Sequence, residues 1–260
     1  ELYVSTEKTG YGYPQGLESF QKSGTGKWSI DVMRGASVEE LSANSIETVL
    51  ESEDPRFFHV KDPVIARFSS ASAADRDTSD GDRLVFCTHP FNWSSSNSAV
   101  AALTPDGPAE PDFTVFRRGF TWDVAISRIT GITPVPPLGA FETKGSGTHS
   151  AHPYLVFYDG GECMRNLDAH KEAVPRPRGY SCEEIGGLAV TSSPNLADIG
   201  RLSINLPEFV SPTGSGSSRY AQAFATSHGM IALWQQSQEN YSQPLVMNIL
   251  SHKDLREILR

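Results

Sequence analysis

Two stretches of this chain share one form, and together they restrict its fold more than any other feature. FFHVKDPVIA, at Phe57–Ala66, has an apolar lead-in, then Asp62-Pro63, then Val64-Ile65-Ala66. FTWDVAISRI has Asp123 where Asp62 stood, with Val124-Ala125-Ile126 behind it. The apolar residues read as buried strands, each with a carboxylate at its mouth. Pro63 has no amide to donate, which suits a strand's first residue. A carboxylate that opens a core strand needs a partner, a metal or solvent in a cavity. An Asp-Pro turn before an ordinary strand is the plainer alternative. The second occurrence, 61 residues downstream, favours a repeating all-β unit.

The remainder of the chain has the same grain. Short strands are expected over Glu1–Ser5, Trp28–Arg34, Ile46–Leu50, Arg83–Thr88, Asn97–Leu103 and Phe113–Phe116. Further strands are expected over Tyr154–Tyr158, Ile185–Thr191, Arg201–Ile204, Ser218–Thr226, Met230–Gln235 and Leu245–Leu250. Helical spacing is confined to the tail, Lys253–Leu259. The 22 glycines and 17 prolines are spread among these strands as turns. Alternating βα patterning is absent, which weakens a Rossmann or α/β-barrel reading. An immunoglobulin-like sandwich would need only about 100 residues. Four blade-like segments of short antiparallel strands can be counted, and arranged radially they make a β-propeller. No Ser/Gly/Pro linker divides two patterns, so residues 1–260 are expected to form one all-β propeller domain.

Charge and composition exclude several functions. A net charge of −9 argues against a nucleic-acid partner. No apolar run reaches the length of a membrane span. No signal peptide is visible, and Glu1 in place of Met leads us to expect residues removed upstream. Cys87 lies in an apolar run and reads as a buried thiol. Cys163 and Cys182 flank a polar insert between two strands. If those strands pair, the sulfurs face each other at the base of the loop. A disulfide there would mean an oxidising compartment and a secreted protein, and two separate thiols are the alternative. Asn92-Trp93-Ser94 and Asn240-Tyr241-Ser242 match the glycosylation sequon, which matters only in a eukaryotic secreted protein.

Cofactor motifs are missing. Asp75, Asp77, Asp80 and Asp82 lack the glycine and glutamate spacing of a calcium loop and read as a solvated loop. His149 and His152 have no HExxH or CxxC context for zinc. There is no Gly-x-Ser-x-Gly elbow. Gly214-Ser215-Gly216 lacks a phosphate-loop lysine. We therefore expect neither metal nor cofactor.

In a propeller the innermost strands start at the axis, and the loops between second and third strands open on the same end. That assignment brings Asp62, Asp123 and Arg219 to one face. It adds the His89–Trp93 loop, Asp159, Glu183 and Glu184 from the facing loops, with Trp122 beside Asp123. Carboxylates with aromatic platforms suit sugars, and two carboxyls across a glycosidic bond supply an acid and a base or nucleophile. Crowded like charges would keep one group protonated. Trp93 and Trp122 are candidate stacking platforms, although packing between blades is the commoner role of a tryptophan.

Several short motifs are similar to the downstream half of five-bladed propeller glycoside hydrolases, the arabinanase/xylosidase and invertase-like clans. They are Tyr158-Asp159-Gly160, Glu183-Glu184-Ile185-Gly186-Gly187-Leu188-Ala189, Ser193-Pro194-Asn195-Leu196, and Ser211-Pro212 with Ser218-Arg219-Tyr220. Lys61-Asp62-Pro63 resembles the Asp-Pro strand opening of those enzymes. The resemblance implies a five-bladed propeller, Asp62 and Asp123 as axial carboxylates, and Glu183 or Glu184 as general acid. Arg219 and Asp159 would bind substrate with His89, Trp93 and Trp122. The chain departs from the pattern in having four segments, the first without its innermost strand. Two functions follow: a glycoside hydrolase-like enzyme on a saccharide, or a propeller without hydrolysis. The second would be a lectin-like module or a cyclase-type biosynthetic enzyme for a small apolar substrate.

Overall fold

A computed structural model describes residues 1–10, 13, 15–18, 26–68, 81–136, 153–161, 184–240 and 242–258. Glu183, Cys163, Cys182, His149 and His152 lie outside these, as do Asp75, Asp77 and Asp80. The described residues form four antiparallel sheets in chain order. The first contains β1 (Leu2–Lys8), β2 (Lys27–Met33) and β3 (Glu47–Leu50). The second contains β4 (His59–Ala66), β5 (Arg83–His89), β6 (Asn97–Thr104), β7 (Gly107–Pro108) and β8 (Asp112–Phe116), with β7 and β8 both pairing β6. The third contains β9 (Ile126–Pro134), β10 (Tyr154–Gly161), β11 (Ile185–Thr191) and β12 (Gly200–Arg201). The fourth contains β13 (Ser218–Thr226), β14 (Gly229–Gln236) and β15 (Leu245–Ser251), followed by helix α1 (His252–Ile258). Gly107–Pro108 is an unforeseen strand, and the expected Arg201–Ile204 strand stops at Arg201, with Leu202 and Ile204 exposed.

The sheets stack face to face, so their central strands are buried on both sides and read as near-continuous apolar runs. Strand alternation then divides each run between two cores. On β5, Leu84 and Phe86 join Ile30 and Val60 between the first two sheets. Val85 joins Val100, Phe116, Ile129 and Tyr158 between the second and third. On β10, Phe157 turns the other way, to Ala221 and Ala223 of the fourth sheet.

The first strands of sheets two to four, β4, β9 and β13, lie innermost, with β9 touching both others. They run in one direction. A parallel bridge joins Ser96, at the start of β6, to Ile126 of β9. Thr130 donates to the Ala221 carbonyl at 2.6 Å, in step with the contact of Gly131 on Gln222. β1 also packs on β4 but runs oppositely. Its middle residue Ser5 meets Asp62, while the hairpin end at Lys27 and Trp28 meets Phe58 and His59. That is the direction of a blade's second strand.

Each innermost strand is bulged at one depth. Lys61 faces Cys87 and Val64 faces Val85, so Asp62-Pro63 stands opposite the single residue Phe86. Tyr220-Ala221 stands opposite Trp234 in the same way. Thr130 is the extra residue of β9. Asp62 (φ 54°) and Tyr220 (φ 55°) adopt left-handed backbone, uncommon for side chains of their size. Asp62 therefore sits in the middle of its strand and not at its mouth. Pro63 is tolerated because a bulge needs no ladder bond there.

Candidate active site

Polar side chains from β4, β10 and the residue before β11 converge on Arg128 of β9, with Tyr220 of β13 beside them. Arg128 is buried, with its side chain 4% exposed. Nη1 lies 3.1 Å from Asp62 Oδ2, and Nη2 lies 2.6 Å from Asp159 Oδ2 and 3.2 Å from Glu184 Oε1. Its guanidinium also lies over the Tyr220 ring, 4.2 Å from the centroid. Cross-strand register explains the closest pair, because Arg128 stands directly opposite Asp159. Burial alone would lower the guanidinium's pKa, but Glu184, Tyr220, Asp159 and Asp62 reverse that and hold it well above its ordinary value. Arg128 is therefore a permanent buried cation with three carboxylates around it.

Each carboxylate has further partners. Glu184 Oε2 accepts from Arg219, whose Nε donates to Gln235 at 2.9 Å. Asp159 accepts the Tyr220 amide at 3.0 and 3.1 Å, a bond made possible by the β13 bulge. Burial pushes Asp159 up to about 6, Arg128 opposing and Glu184 adding to the rise. Asp62 is the most accessible of the three, with its side chain 19% exposed, against 0% for Asp159 and 5% for Glu184. Its amide donates to Ser5 Oγ at 2.7 Å, and its carboxylate accepts from the Cys87 thiol at 3.4 Å. Lys61 approaches it at 3.6 Å. A cavity of about 440 Å³ opens beside this cluster. It is lined by Tyr3 and Ser5 of β1, Asp62 and Pro63 of β4, Ile129 and Thr130 of β9, and Tyr220 of β13.

His89 stands behind Asp62. Its Nε2 is 3.6 Å from Cys87 Sγ, and Nδ1 lies 2.9 Å from the Ser95 carbonyl. Burial, with Lys61 nearby, holds the imidazole well below its ordinary range, so it is neutral. Trp93 is buried, its ring stacked on His59 at 4.1 Å and tilted against His89 at 4.6 Å. His89 and Trp93 thus support the wall behind Asp62, on the side of Lys61.

Asp123 and Trp122 do not join this cluster. Gly160, next to Asp159, faces the opposite side of its sheet, where a Cβ would meet Trp122 and lie 2.7 Å from Asp123 Cβ. Asp123 is buried there with Arg201 at 2.6 Å and the Tyr158 hydroxyl at 3.4 Å. Trp122 is a core residue, bonded through Nε1 to the Ser203 carbonyl at 2.9 Å and stacked on Tyr158. The apparent repeat misleads because Asp62 lies within β4, whereas Asp123 lies three residues before β9 begins. At the depth of Asp62, β9 carries Arg128. Arg128 and Tyr220 were missed as site residues. The available signal was a lone arginine inside the apolar run Val124–Ile129.

Among the described residues, no group of three or more His, Cys, Asp and Glu side chains is placed to hold a metal, and no helix is long and apolar enough to cross a membrane.

No protein-family model matches the sequence, and no curated protein matches it. Solved structures do. The chain is similar to a thermostable family-43 glycoside hydrolase, at 12% identity and a TM-score of 0.50, over 88% of this chain and 65% of that one. It thus spans slightly under two thirds of that enzyme's length. An α-L-arabinanase of Cellvibrio cellulosa, complexed with arabinohexaose, aligns at 14% identity and a TM-score of 0.45, over 94% of this chain and 68% of that one. Another structure of that arabinanase aligns at 15% identity and a TM-score of 0.43, over 95% and 69%. The chain resembles the propeller glycoside hydrolases in structure, and its all-β fold is a β-propeller.

Proposed function

We propose that this chain is a carbohydrate-active, glycoside hydrolase-like protein that takes a saccharide at the Asp62 face of the Arg128 cluster. The observation that supports this most is the convergence of Asp62, Asp159 and Glu184 on one guanidinium beside a cavity. Asp62, the most exposed of the three, is the base or nucleophile. Both Glu184 oxygens are engaged by arginines, which suits a positioning role, so we give the proton-donor role to its neighbour Glu183. Asp159 modulates the charge of the cluster. Arg219 binds hydroxyls or a carboxylate. Asp123 and Trp122 act through packing and not on substrate.

The test is turnover of a panel of aryl glycosides and arabino-oligosaccharides by the wild type and by Asp62→Asn. We expect kcat to fall by about a hundredfold or more, with the fold intact by circular dichroism. Full activity in the variant would refute the assignment. A second reading, a lectin-like module, is favoured by one fact: all three carboxylates are already ion-paired. Saccharide binding without turnover of any panel member would select it.

A further inference from the structure

A second cleft, of about 870 Å³, lies between β8 and β12, away from the Asp62 cavity. Among the described residues, four arginines line it, Arg56, Arg117, Arg118 and Arg201, and no acidic residue does. Such a concentration of one sign is notable in a chain of net charge −9. Two of the four are already neutralised: Arg56 by Asp54, and Arg201 by the buried Asp123. Arg118 spends Nη1 on the Val124 carbonyl at 3.2 Å, and neither Arg117 nor Arg118 has an acidic partner among the described residues.

The cleft is also built. Arg201 lies over the Phe116 ring, 4.1 Å from the centroid, and its Nη2 donates to the Arg117 carbonyl and, at 3.3 Å, to Ser127 Oγ. It is therefore a fixed donor and not a floating surface charge. The wall holds a stacked pair, Phe57 on Phe113, with centroids 4.6 Å apart and planes 9° from parallel. Phe120 stands at the rim, 99% exposed. A phenyl group left in water forgoes its burial, so a flat apolar face laid on it would be favoured.

We propose that this cleft is a second binding site, for a short acidic saccharide whose carboxylates pair with Arg117 and Arg118 and whose ring face packs on Phe120. Guanidinium forks match planar carboxylates, which favours uronates over neutral sugars. A long polyanion such as nucleic acid would meet the acidic remainder of the surface. The choice of a saccharide rests on the function proposed above. The anionic character of the ligand rests on this cleft alone.

Calorimetric titration of the intact chain with trigalacturonate tests the proposal, with galactotriose, inorganic sulfate and a single-stranded DNA dodecamer as comparison ligands. We expect saturable binding of trigalacturonate, weakened about tenfold or more in Arg117→Gln/Arg118→Gln and in the milder Arg117→Gln to a lesser degree. Phe120→Ser should weaken it about threefold or more, and galactotriose should not bind in the same range. Asp62→Asn should leave this binding unchanged, which separates it from the first site whether or not that site turns over. Three results would overturn the proposal: binding indifferent to both arginine variants, equal affinity for galactotriose, or tighter binding of DNA or sulfate than of trigalacturonate.

Discussion

Replacing Arg128 with methionine keeps most of the side chain's length and removes its charge. Three carboxylates then lose the cation that they share, two of them almost wholly buried. Breaking a buried pair by removing one partner costs about 3–5 kcal/mol, because the remaining charge is stranded in a poorly solvated site. Asp62, partly exposed, adds little, since a screened pair contributes about 1 kcal/mol or less. We therefore expect Arg128→Met to lose roughly 3–5 kcal/mol at pH 7, a large part of the 5–15 kcal/mol that a folded protein typically has. Urea unfolding followed by tryptophan fluorescence should show the midpoint falling by at least about 1 M. The deficit should shrink towards pH 5, where the stranded carboxylates can take up protons. Adding Asp159→Asn to Arg128→Met should recover about 1–3 kcal/mol by removing one of them. A variant within about 1 kcal/mol of the wild type from pH 5 to 8 would show that Arg128 does not neutralise buried charge.

Asp159 gives a pH signature of its own. Its folded pKa, raised to about 6, lies above the ordinary 3.8, so the folded state binds more protons between those values and wild-type stability falls as pH rises through them. Asp159→Asn should flatten that slope in urea titrations between about pH 4 and 6. Trp122→Ala should cost about 3–5 kcal/mol in thermal or urea unfolding, as loss of a core aromatic does, whereas a stacking platform would chiefly raise KM. Gly160→Ala would press a methyl group onto Trp122 and Asp123, and should cost about 1–3 kcal/mol by the same measurement.

Much of the architecture was legible because each central strand is buried on both faces. Runs such as Leu84–Cys87 and Ile185–Thr191 declare themselves by apolar content and by the turns that bound them. The tail helix was also readable. Ser251 and Asp254 cap each other's amides at its start, and Leu255 fastens it to the sheet. The bulges were not legible, because an extra residue is defined against its cross-strand neighbour, and Trp234 gives no sign in sequence that it faces two residues. That gap explains the misplacement of Asp123. Motif similarity aligned it with Asp62, while strand register set Arg128 at that depth. Asp159 and Glu184 could be named as polar residues at strand ends. That one arginine gathers them depends on which face of β10 each occupies, and a one-residue slip reverses that.

The reversed course of β1 has a further consequence. It pairs with β2 along one side only, and Tyr3, Val4 and Ser5 line the cavity on the other. Among the described residues no ladder completes that second side, so its peptide groups form a template for an incoming extended segment.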